Sequence, residues 1–231
     1  MTANTKNNAS HSWLPLEACP EVWNKIIHGS GVDTKWKYVD IENLDSLIQA
    51  PLAIIILFPS TQRYNDHIHQ EEIRLAKLEQ SISPNVIFFK QPAGMAACGM
   101  TAMLHSLANN DNEVVGPGVL HDFLETSRSM SPDERADWLQ QSNELEHLHQ
   151  TAASLGQTDV TGPGQCHIDC HYICLVEVDD HLYELDGRRP LPVNHGKTTD
   201  FIQSAAKMIK QYKDLEPDQK HFRIIALMES K

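Results

Sequence analysis

From Ala96 to Ala108 the chain reads AACGMTAMLHSLA, apolar or small at nearly every position. A helix with one apolar stripe lies on a surface, whereas a helix apolar on all sides has to be covered on all sides. This segment therefore predicts a buried central helix, and the rest of the chain has to supply the elements that enclose it.

Those elements are legible from period and punctuation. Pro20 stands at a helix start, Val22, Trp23, Ile26 and Ile27 recur at helical spacing, and Gly29 or Gly31 ends the run. Residues 64–80 carry a helical charge pattern, and residues 201–215 form a late amphipathic helix. Over 130–150 a single helix is expected, opened by Ser131 as cap, Pro132 in its first turn and Glu134 placed for a capping box. Strand-like runs lie at 35–41, 52–58, 85–89 and 221–229, and two β-rich runs meeting at Asp179-Asp180 read as a hairpin. Helices mixed with antiparallel strands predict an α+β fold around one buried helix. Residues 1–11 read as a loose, disordered tail ahead of a single domain, 12–231.

Composition narrows the function. Acidic residues outnumber basic ones 31 to 19, and no cluster of Lys and Arg tracks a phosphate backbone. A basic protein or peptide tail is thus a better expected partner than nucleic acid. The polar start lacks a secretory apolar core, and no run approaches a membrane span, so a cytoplasmic protein, with nuclear residence open, is expected. Five cysteines, an odd number, in a reducing compartment leave catalysis, metal binding or simple burial as their uses.

Two clusters carry possible chemistry. Cys166, His167, Cys170, His171 and Cys174 fall within nine residues, but their spacing misses the knuckles of zinc modules, and the β character of 172–178 splays them apart. No metal or other cofactor is expected. Cys98 is different, because Pro92 and Gly94 turn the chain just before it and the buried helix begins around it. Taken alone, a cysteine there is a small buried hydrophobe. At a helix N-terminus, though, the unpaired N–H groups favour its thiolate. A thiolate nucleophile needs an imidazole, and the imidazole an acceptor to fix its tautomer. His171 opens the first strand of the hairpin and Asp186 closes the second, so antiparallel pairing brings their ends together. Gln91, just before the turn, is placed to donate to a developing oxyanion.

The stretches WLPLEACPEVWNK, LFPSTQRY, FFKQ, ACGMTAMLHSLANN, SMSPDERADWL, HLYELDGRRPLPVNHG and FRIIALM together resemble the ubiquitin C-terminal hydrolases, papain-like cysteine proteases. The resemblance covers nearly the whole chain after residue 11. It implies a papain-like fold with a central antiparallel sheet, a buried nucleophile helix and flanking helices. It also implies Cys98 as nucleophile, His171 as base, Asp186 as orienting carboxylate and Gln91 as oxyanion donor. The implied partner is ubiquitin or a related modifier, the implied substrates are small or unfolded adducts on its C-terminal glycine, and a monomer is expected. Residues 147–168 occupy the place of the family's crossover loop over the active site. The chain ends soon after FRIIALM, as expected of a short, free-standing form. One departure stands out. Six residues separate Gln91 from Cys98 where the family has five, and Pro92 stands where the family usually has Thr. This sets an alternative beside the enzyme, a ubiquitin-binding or ubiquitin-storing protein with low turnover.

Overall fold

The protein is described by a computed structural model covering residues 13, 15–44, 47–156, 170–217 and 222–230. In chain order the elements are α1 (Pro20–Gly29), β1 (Trp36–Asp40), β2 (Ala53–Pro59), α2 (Gln62–Leu78), α3 (Cys98–Ala108), α4 (Asp111–Val114), α5 (Val119–Ser127), α6 (Pro132–Gln141), α7 (Asn143–Gly156), β3 (Cys170–Val178), β4 (His181–Leu185), β5 (Val193–Lys197), α8 (Phe201–Leu215) and β6 (Arg223–Glu229). The expected N-terminal tail lies outside the described residues.

The six strands form one antiparallel sheet in the order β1-β6-β2-β3-β4-β5. Both faces of its centre are covered, which explains why β2 is an unbroken apolar run and not an alternating one. Ala53 and Ile55 point into the core shared with α1 and α3, whereas Ile54, Ile56 and Phe58 point into a second core shared with α8. On β3, Tyr172, Cys174 and Val176 face the first core, and Ile173 and Leu175 the second.

Every residue of α3 from Gly99 to Ala108 is buried, as the sequence requires. Met100, Met103, Leu104 and Leu107 each remove a full side chain from water, worth roughly 1.5–3 kcal/mol apiece. Of the helix's polar side chains, Ser106 and His105 find partners, whereas the Thr101 hydroxyl is buried without one among the described residues. The hydroxyl of Ser106 donates to the Met103 carbonyl at 2.8 Å and lies 2.6 Å from the Tyr38 hydroxyl. Burial holds His105 neutral by lowering its pKa to about 4. Its ring stacks on Phe88 at 5.2 Å.

Three expectations need correction. Residues 85–89 form no strand. Their backbone is satisfied by side chains, with Asn109 bonding both the amide and the carbonyl of Ile87, His105 Nε2 lying 3.0 Å from the Phe89 amide and carbonyl, and Arg135 donating to the Phe88 carbonyl. The expected helix over 130–150 is two helices, because Ser142 turns to an extended conformation (ψ 99°) between α6 and α7; the capping box of Ser131 and Glu134 is present. α7 then runs on to Gly156, so the first part of the expected crossover loop is helical, and 157–169 lies outside the described residues. Among the described residues no helix is long and apolar enough to cross a membrane.

Candidate active site

Cys98 is the first residue of α3, preceded by a turn in which the Met95 amide donates to the Pro92 carbonyl at 3.4 Å and Gly94 takes φ +74°. Gly99, next to it, lets the helix come close to β3: a Cβ there would lie 3.1 Å from Leu16 Cβ and 3.4 Å from Tyr172 Cε2. The thiol thus stands where the helix N-terminus meets the sheet.

The hairpin supplies the next two groups. Its turn takes positive φ at both Asp179 (51°) and Asp180 (59°), the conformation of a type I′ turn, and it sets Val178 opposite His181 and Cys174 opposite Leu185. Continuing that register puts Asp186 across from Ile173, on the face that also carries His171 and diagonal to it, a separation that side chains span. His171 Nε2 and Asp186 Oδ1 are 2.7 Å apart, and both residues are fully buried. Nδ1 has no other partner among the described residues and is the ring atom left to Cys98.

Asp186 is held by more than the imidazole. The Tyr64 hydroxyl donates to Oδ2 at 2.7 Å, and the Arg188 amide to Oδ1 at 2.8 Å. Burial works against its charge, but the charge and hydrogen bond of His171, with these two donors, hold its carboxyl far below the ordinary range. Burial likewise disfavours imidazolium at His171; the Asp186 charge and hydrogen bond, aided by Cys98, outweigh it and raise the pKa to about 9. At Cys98, burial raises the pKa, yet the hydrogen bond and charge of His171, then the Arg188 charge and the Tyr172 amide, bring it below the usual thiol value. The three groups therefore favour a thiolate–imidazolium pair on a fixed carboxylate.

Gln91 lies beside them. Its amide Nε2 donates to the Met95 carbonyl at 2.6 Å, inside the same turn, and its backbone amide donates to the Gly187 carbonyl at 2.8 Å. Gln91 Oε1 is buried without a partner among the described residues. The extra residue before Cys98 is thus absorbed by a turn whose carbonyl takes one N–H of Gln91. Cys98, Gln91 and Met95 line a cleft of about 600 Å³ with Leu16, Tyr172, Arg188 and Arg223.

The structure brings all four expected residues to one place. Tyr64 was not expected; the only sequence signal was the single tyrosine of its helix, and only its burial reveals a partner. Gly187 was not singled out either: a Cβ there would meet Thr101 Cγ2 at 2.7 Å and the Gln91 amide at 3.0 Å. As for the cysteine-histidine cluster, Cys166 and His167 lie outside the described residues, His171 is engaged by Asp186, and Cys174 is buried with its pKa pushed up by that burial. No group of three or more potential ligands among the described residues is arranged to hold a metal.

Known proteins match this chain along most of its length. The family "ubiquitin carboxyl-terminal hydrolase, family 1" matches residues 13–214. A ubiquitin carboxyl-terminal hydrolase of Drosophila melanogaster is 37% identical over 223 residues, covering 94% of this chain and 97% of that one. Human ubiquitin carboxyl-terminal hydrolase isozyme L1 is 33% identical over 222 residues, covering 92% and 96%. In three dimensions the chain superposes on the catalytic domain of Trichinella spiralis UCH37, solved bound to ubiquitin vinyl methyl ester, with a TM-score of 0.72, 24% identity, and coverage of 96% of this chain and 99% of that one. That likeness carries the papain-like fold, and the sequence relationships carry membership: the chain belongs to ubiquitin carboxyl-terminal hydrolase family 1.

Proposed function

We propose that the protein is a thiol-dependent hydrolase of bonds to the C-terminal glycine of ubiquitin or a related modifier, with Cys98 as nucleophile, His171 as acid and base, and Asp186 as the group that orients His171. The observation that carries this reading is the Cys98–His171–Asp186 array, whose cysteine opens onto the cleft, in a chain whose relatives are named for that hydrolysis.

The reaction follows from the array. The Cys98 thiolate attacks the glycine carbonyl carbon, and negative charge moves onto the oxygen. Two donors are near it: the Cys98 backbone N–H, which as a first-turn amide has no acceptor within the helix, and the second N–H of Gln91. His171, already protonated, gives its proton to the departing amine as the C–N bond breaks and a thioester forms. Water then attacks the thioester, His171 takes its proton, and the freed thiolate recovers its pair. Asp186 keeps Nε2 committed, so that Nδ1 always faces the sulfur. Because His171 and Asp186 lower the cost of the Cys98 thiolate, the array suits turnover better than storage. The adducts best suited are small or unfolded ones.

The test is reaction with ubiquitin vinyl methyl ester. A single adduct on Cys98 is expected, while Cys98→Ala should form none yet still bind ubiquitin, since the sulfur is a small part of a protein-sized interface. Failure of the wild-type protein to react, or an adduct on another residue, would overturn the assignment.

A further inference from the structure

Cys170 is a second thiol in the catalytic cleft, and the mechanism above does not use it. It begins β3, directly before His171, and alternation along the strand puts it on the same face as Tyr172 and Cys174, toward α3. Cys98 and Cys170 both line the cleft, both are partly exposed, and neither is in a disulfide. Tyr172 is near both. The first turn of α3 is in contact distance of its ring at Gly99, and Cys170 is one pleat further out along the strand. The Tyr172 phenol registers both thiols: burial raises its pKa first, and negative charge on Cys98 and on Cys170 raises it further. Each cysteine is also the terminal residue of its element. There a backbone shift to meet disulfide geometry is easier than inside a helix or strand.

We propose that Cys170 is a resolving thiol for Cys98, so that the cleft contains a disulfide-forming modification site which converts oxidation of the nucleophile into a reversible block. The proposal rests on Cys98 being the reactive thiol of the site. The oxidant is a hydroperoxide. The Cys98 thiolate attacks its outer oxygen, an S–O bond forms, the O–O bond breaks, and the alkoxide or hydroxide released takes up a proton; sulfur is oxidised to the sulfenic acid and the peroxide reduced. The Cys170 sulfur, losing its proton, then attacks Cys98 sulfur. The S–S bond forms, the S–O bond breaks, and hydroxide leaves as water. A dithiol reverses the state by two exchanges, restoring both thiols and itself becoming a disulfide. Without a resolving thiol the sulfenic acid is open to further peroxide and becomes sulfinic acid, which thiols do not reduce. Cys174, sealed in the core with its pKa raised by burial, cannot take this part.

The experiment treats the full chain with hydrogen peroxide, then divides the sample between non-reducing peptide mass spectrometry and activity after dithiothreitol, each variant normalised to its own untreated rate. The wild-type protein should yield a Cys98–Cys170 linked peptide and recover most of its activity. Cys170→Ser and Cys170→Ala should yield sulfinic Cys98 and recover several-fold less, and Cys166→Ser should behave as wild type. Absence of the linked peptide, recovery in the Cys170 variants equal to wild type, or pairing of Cys98 with another cysteine would overturn the proposal. The linked peptide is read by mass alone, so it is independent of hydrolysis; labelling of untreated protein by ubiquitin vinyl methyl ester reports separately on the proposed function.

Discussion

At the scale of single residues, the site depends on how Asp186 is kept charged in a place without water. A buried carboxylate is expensive unless donors surround it, and here Tyr64, His171 and the Arg188 amide do so. Tyr64→Phe removes one charge-assisted bond and should lower stability by about 1.5–3 kcal/mol in urea unfolding at neutral pH. The sign of its pH dependence follows from Asp186. A carboxyl whose folded pKa is depressed stabilises the fold above its unfolded pKa of roughly 4, and that stability is lost as pH falls through the folded value. The unfolded state cancels in the comparison, so the difference between wild type and Tyr64→Phe should stay constant until the pH falls well below the unfolded value and Asp186 protonates in the folded variant; a difference that persists through that acid range would show that Tyr64 acts by packing alone. The same carboxylate should set the alkaline limit of the proposed activity. Burial alone would depress His171, and Asp186 is the first group that offsets it, raising the imidazole to about 9. In Asp186→Asn the alkaline limb of kcat/KM should move to lower pH by a unit or more, alongside a fall in kcat; an unmoved limb would mean that another group sets it.

At the scale of elements, α3 and the turn before it decide how the thiol is presented. The turn answers the question raised by its six residues, since the Met95 carbonyl accepts from Gln91 and fixes an amide that would otherwise rotate. If the remaining N–H serves the oxyanion, Gln91→Ala should lower kcat about 100- to 1000-fold with KM little changed. Deleting Ala96 to restore the family spacing should also lower kcat, because the turn that holds the amide is lost. A rise in kcat on deletion, with Gln91→Ala inert, would show instead that the longer turn detunes the site. The hairpin was legible because its signals are local: two β-rich runs, and Asp at both positions where φ is positive. The 85–89 segment was misleading for the opposite reason. Its residues suit a strand, but the nearest partners are side chains of α3 and α6, and strand formation needs a neighbouring backbone.

At the scale of the whole molecule, the cleft exists because segments distant in sequence converge on the N-terminus of α3. Residues 15–18, the end of β2, the turn before Cys98, the start of β3 and the segment after β4 all line it. Gly187 is the point of closest approach among the last of these. The Gln91 amide donates to its carbonyl, and Thr101 of α3 packs where a side chain would be. Gly187→Ala puts a methyl group 2.7 Å from Thr101 Cγ2, which should lower stability by about 1–3 kcal/mol through overpacking and reduce kcat by shifting Gln91 and Asp186 together. A thermal-melt and single-turnover comparison checks both effects; loss of stability with unaltered turnover would separate the contact from the site.

The sequence by itself determined the buried helix, the hairpin and its turn, the α+β class and the place of the thiol, since each follows from period, propensity or a turn residue within a short window. By resemblance it also pointed to the four site residues. Only the tertiary structure decided which groups complete the site. The second anchor of Asp186 is a tyrosine 122 positions away, and the clamp on Gln91 is a backbone carbonyl, which no residue type announces. The placement of Cys170 in the same cleft as Cys98 depends on which face of β3 meets α3. Local pattern records what a segment can become, and contacts between segments far apart in the chain are fixed when their buried faces find one another.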